Sequence, residues 1–122
     1  MASTVGRAAL LRECLDALDE LESTLAALRD QTRRLQTTIR RSRRFLAAGG
    51  LSTGLSDLTN IPEHRAADEK ALRDVEAARL RTQHALYRLG AEDGVSAAAL
   101  GRTWGVSRQL VSRILNDRES RR

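Results

Sequence analysis

Ser96-Ala97-Ala98-Ala99-Leu100-Gly101-Arg102-Thr103-Trp104-Gly105-Val106-Ser107-Arg108-Gln109-Leu110-Val111-Ser112-Arg113-Ile114-Leu115-Asn116 reads as two short helices joined by a tight turn at Gly105-Val106-Ser107. Leu100, Trp104, Val106, Val111 and Ile114 are spaced so that both helices bring apolar sides to one small core. Gly101 is a small residue where the two helices approach closely, and Gly105 can take the positive φ that a sharp break needs. The outward side of the second helix then carries Ser107, Arg108, Gln109, Ser112, Arg113 and Asn116, residue types that hydrogen-bond phosphates and base edges.

Outside this stretch, composition narrows the options. The chain has 122 residues, enough for one small domain and an extended element, with 2% aromatic residues and a net charge of +5. Ala, Leu and Arg dominate, which predicts an all-α protein. Lys70 is the only lysine, so the basic character comes from arginine, whose planar fork suits phosphate and guanine. A GC-rich genome accounts for the same bias without any function. Cys14 is the only cysteine and excludes an intramolecular disulfide, so a reducing, cytoplasmic setting is expected. No apolar run approaches a membrane span, and the N-terminus carries no signal-peptide core, so no membrane partner is expected.

From Arg7 to Leu46 the sequence predicts one long helix ended by Gly49-Gly50. Leu11, Leu18, Leu25, Thr32, Ile39 and Leu46 recur every seven residues, and Cys14, Leu21, Leu28, Leu35 and Ser42 form a second column three positions on. These are a and d positions of a coiled coil, on a helix of about 60 Å. Residues 1–48 are therefore expected to be a dimerisation helix using Leu11, Leu18, Leu21, Leu25, Leu28, Leu35 and Ile39, giving a homodimer. Pairing with the later helix of the same chain is the alternative. Cys14 at a d position is expected to be a small buried hydrophobe. Arg33, Arg34, Arg40, Arg41, Arg43 and Arg44 follow an acid-rich first half without one acid among them. They form a second candidate basic patch, for phosphates or an acidic partner, against the alternative of a solvated face.

Residues 49–60 are expected to be a flexible linker with a loose turn near Leu55–Leu58. Asn60 and Glu63 have cap spacing, and Pro62 stands in the first turn of a helix expected to end at Gly90. Its core side is predicted at Leu72, Val75, Ala78, Thr82, Ala85, Leu86 and Leu89, with Tyr87 at the margin and Trp104 inside. Asp93-Gly94 predicts a turn and Ser96 a cap. His64 and His84 have no acid or thiol at ligand spacing, so no metal or other cofactor is expected.

The Gly105–Gln109 turn with the β-branched Val111 beyond it resembles the helix-turn-helix family of DNA-binding proteins, mainly bacterial transcriptional regulators. The resemblance implies a three-helix unit in residues 61–122, with helix 107–116 inserted in the major groove of double-stranded DNA. It implies that Ser107 caps that helix and reaches a phosphate, and that Arg108, Gln109, Ser112 and Arg113 read base edges. Arg pairs best with guanine and Gln with adenine. Asn116, Arg102 and Arg118 would flank them, and Arg121 and Arg122 would add nonspecific attraction. Leu110 departs from the family pattern, where a polar residue is commoner; a thymine methyl or the partner subunit is its expected contact. The whole is then a dimeric, sequence-specific DNA-binding protein. A plasmid, phage or nucleoid DNA-organising protein is the alternative within nucleic-acid biology, and a coiled-coil interaction adaptor the one outside it. Nothing in the sequence is large enough to sense a small molecule, so regulation is expected through a protein partner or through the level of the protein itself. No nucleophile constellation, paired carboxylates or phosphate-binding glycine loop suggests an enzyme.

Overall fold

The computed structural model describes the backbone of residues 4–120 and the side chains of residues 6–117. Among the described residues every element is helical: α1 (Thr4–Ala47), a 3₁₀ turn (Ser52–Gly54), α2 (Leu55–Leu58), α3 (Ile61–Glu92), α4 (Ala97–Trp104) and α5 (Arg108–Ser120). No helix is long and apolar enough to cross a membrane among these residues. The chain divides into two compact units, one made of α1 up to Leu21 together with everything from Ala78, the other of residues 22–77.

In the first unit α1 runs antiparallel to the end of α3. Arg7 pairs with Asp93 at 2.7 Å, Glu13 accepts from Arg88, and Glu20 accepts from Arg81, so partners retreat along α3 as α1 advances. Between these pairs Cys14 and Ala17 are buried against Ala85, with Leu86 and Leu89 packed around them. The two small residues let the helix axes come close enough for Thr82 Oγ1 to lie 3.1 Å from the Ala17 carbonyl and 2.8 Å from that of Ala78. One buried hydroxyl is thereby satisfied without water. Of the two expected pairings, the intrachain one is what this part of α1 makes. The seam also differs from the expected one. Its columns are Cys14/Leu21 and Leu10/Ala17, whereas Leu11 and Leu18 are exposed.

A second core in the same unit gathers Tyr87, Leu100 and Val111, with Ala97, Val106, Ile114 and Leu115 around them. Tyr87, expected at the margin, is fully buried at its centre; Trp104, expected inside, is 39% exposed and lies edge-on to the Tyr87 ring. Gly90 does not end α3, which continues to Glu92. A Cβ at Gly90 would stand 2.8 Å from Leu100 Cδ2, so this glycine marks the approach of α4 rather than a stop. The stop is Gly94 at φ +88, with the Val95 amide donating to the Gly90 carbonyl.

In the second unit α1 ends as expected at Gly49, φ +95, and the Gly50 amide donates back to Phe45 O. The expected linker contains a 3₁₀ turn and, where a loose turn was expected, the short α2 at Leu55–Leu58. Phe45 covers Gly50 and Gly54, where any Cβ would meet its ring within 2.7 Å, and the 3₁₀ turn and α2 follow. Asn60 begins α3 as predicted: the Glu63 amide donates to Asn60 Oδ1 (3.3 Å), and Asn60 Nδ2 donates to Glu63 Oε2 (2.9 Å). Gln31 is buried and donates to Asp68 Oδ1 at 2.8 Å while accepting from Arg34 at 3.4 Å, an amide where the heptad pattern has no large apolar residue. Leu25, Leu35 and Ile39 are exposed, and Leu28 is half-buried. Leu72, predicted on the core side of α3, is 59% exposed. Six residues from Ala78, it lies about 120° round the helix from the buried face.

Candidate nucleic-acid interface

The α4–α5 pair is built from local signals that the chain spells out one by one. Ser96 caps α4, its Oγ accepting from the Ala99 amide at 3.1 Å. α4 closes on Gly105 in the left-handed region, φ +69, ψ +32, and the Val106 amide donates to Gly101 O at 2.9 Å. At this point the chain passes very close to α4: a Cβ on Gly101 would stand 2.7 Å from the Val106 carbonyl oxygen and 3.3 Å from the Arg108 amide nitrogen. Only glycine lets the turn lie against the helix here. Ser107 then caps α5, its Oγ accepting from the Leu110 amide at 3.1 Å.

With the turn so fixed, the faces of α5 separate. Val111 is fully buried, and Leu110, Ile114 and Leu115 are half-buried. Arg108, Gln109, Arg113 and Asn116 are exposed, as is Arg102 in the last turn of α4. Ser112 is half-buried; at about 100° from Val111 it stands on the shoulder of the helix rather than on its outer face. The Ser107 hydroxyl is exposed, and its acceptor role in the cap leaves its proton free to donate outward. Leu110, whose contact was expected outside the chain, is partly taken up by its own unit. The side chain of Arg118 and all of Arg121 and Arg122 lie outside the described residues.

Between Ser96 and Asp117 the charges are Arg102, Arg108 and Arg113 against Asp117 alone, so the exposed side of α4–α5 is positive. This positive side includes the capped N-terminal end of α5, where the helix macrodipole adds the same sign. The α3 residues supporting the unit are held from behind by Arg88, whose guanidinium donates to Glu13 on α1 with both side chains largely buried. That cation, together with burial as the larger cause, pushes the His84 pKa down. Burial likewise pushes the Cys14 thiol up, with Glu13 adding to the rise and Arg88 opposing it.

Arg33, Arg34, Arg40, Arg41, Arg43 and Arg44 belong to the other unit and are all exposed, Arg40, Arg43 and Arg44 around one shallow depression. Sequence reasoning missed the central place of Tyr87 and the approach role of Gly90. The signal available for Tyr87 was its spacing of three residues from Gly90 along one face of α3. A scan of protein-family models finds none that matches this chain, and searches of curated proteins and of solved structures also return no match.

Proposed function

We propose that this chain is a sequence-specific DNA-binding protein of helix-turn-helix type, acting as a dimer and controlling transcription in the bacterial cytoplasm. The carrying observation is the division of α5: Val111 locks one side into the unit, while Gln109, Arg113 and Asn116 share the opposite side, left open, and Arg108 is exposed at the first residue of the helix. An exposed helix so presented fits the major groove, where Arg108 and Arg113 can each grip a guanine through O6 and N7 and Gln109 an adenine through N6 and N7. Ser107 and Arg102 sit at the edge of that surface and suit phosphates. A single small unit binds weakly, and coupling two raises affinity through effective concentration. The proposal leaves no part for a cofactor or a small-molecule ligand.

The test is binding of genomic fragments over a salt series. Affinity should fall steeply with salt. Arg102→Ala should reduce the salt slope by about one, for the phosphate no longer neutralised, whereas Arg113→Ala or Arg108→Ala should reduce the discrimination between sites. Absence of fragment retention at low salt overturns the proposal.

A further inference from the structure

α1 carries two apolar stripes, and among the described residues only one of them is covered. The inner stripe meets α3 in the first unit through Cys14 and Ala17, with Leu10 and Leu21 half-buried in the same columns, and one of those columns continues to the buried Gln31 and half-buried Phe45 in the second. The outer stripe is one position round: Leu11, Leu18, Leu25, Ile39 and Leu46 share a single heptad position in which Thr32 is the one polar member. These five, with Leu15 beside them, are 37–52% exposed. Large side chains at strict seven-residue spacing are not the scattered surface leucines of an ordinary monomer.

The charges along the rim of this stripe select its occupant. Seven-residue geometry places Arg12, Asp19, Glu22, Arg29, Arg33, Arg40 and Arg43 next to it. Glu13 and Glu20 turn the other way and bind Arg88 and Arg81 of α3. The rim is therefore acidic at Asp19 and Glu22, and purely basic from Arg29 to Arg43. A second copy laid parallel about a twofold axis would turn this rim toward the Cys14 and Leu10 columns of its partner's α1, which offer no acid to Arg33, Arg40 or Arg43. Laid antiparallel, it sets them beside Asp19 and Glu22, and Leu18 meets the region of Ile39.

We infer that the outer stripe of α1 is the dimer surface of this protein, occupied by the α1 of a second copy in antiparallel orientation. This rests on the two-copy part of the proposed function and not on DNA reading. It also gives part of the arginine run a role: the acidic partner that the run fits is the other copy's first half.

Sedimentation equilibrium of the full chain without DNA tests it. The native chain should be dimeric, and Leu18→Glu with Leu25→Glu should weaken the dimer at least tenfold, about 1.4 kcal/mol, with an unchanged helical spectrum. Asp19→Arg with Glu22→Arg should weaken it as well. Adding Arg40→Glu and Arg43→Glu to that same chain should restore it, because the antiparallel pair regains opposite charges. A monomeric native chain, a dimer indifferent to Leu18→Glu and Leu25→Glu, or a charge swap that fails to restore pairing overturns the inference. DNA retention measured on the Leu18→Glu, Leu25→Glu chain separates failure of this surface from failure of the DNA reading.

Discussion

Trp104 stands edge-on to Tyr87, the ring centroids 5.4 Å apart and the planes at 86°. Tyr87 is fully buried on α3 and Trp104 closes α4, so this pair ties the α4–α5 unit to the helix beneath it. Edge-to-face pairs contribute about 0.5–1.5 kcal/mol beyond the area they bury. A double-mutant cycle with Tyr87→Leu and Trp104→Leu should return a coupling in that range from urea unfolding followed by circular dichroism. A coupling near zero would mean that Trp104 only rests on the surface.

Gly101 and Gly105 should respond differently to alanine. At Gly101 the added Cβ meets the backbone oxygen of Val106 at 2.7 Å, a group that cannot swing aside, and the expected loss is about 1–3 kcal/mol. At Gly105 nothing lies within 4 Å, and the expected loss of about 1 kcal/mol comes only from the positive φ. Urea midpoints of the two variants should rank in that order, although Gly101→Ala gains helix propensity.

Cys14 should be nearly inert in the native protein. It is 2% exposed, and burial keeps its thiol protonated at pH values where a free cysteine begins to ionise. Its rate with a thiol reagent at pH 8 should rise to that of a free cysteine in denaturant. A native rate equal to the denatured one would show that α1 does not stay packed on α3.

His84 should make the fold lose stability in mild acid. Its folded pKa lies below the ordinary 6.5, through burial first and the Arg88 cation second. The unfolded chain therefore takes up the proton more readily. The stabilisation from keeping His84 neutral is complete above pH 6.5 and is lost as pH falls through the lower folded value. His84→Gln should flatten the stability profile between pH 7 and pH 5 relative to the native chain; identical slopes would rule this group out as the cause.

The elements that were legible in the sequence are those specified by neighbours. Ser96, Gly105, Ser107, Asn60 and Gly49 each act within about one turn, and each sits as its residue type implies. The α4–α5 surface followed, because it depends only on such signals. What periodicity could not separate was which stripe of α1 meets the chain's own α3. The Cys14–Leu21–Leu28–Leu35 column borders both, and the small Ala17 and polar Gln31 that complete the inner seam look like surface residues in a hydropathy pattern. Tyr87 and Trp104 exchanged expected places because packing against Leu100, a contact across elements, decides which ring is enclosed.

The double face of α1 also bears on how such a chain diverges. A substitution in the Cys14 column touches both stripes, so drift there is held back by the hairpin. The Leu11–Leu18–Leu25 column is free of that constraint. Under the proposed pairing, lineages would retune or abandon self-association one leucine at a time while each copy keeps its own fold, making partnership a trait that selection can adjust separately from the architecture that carries it.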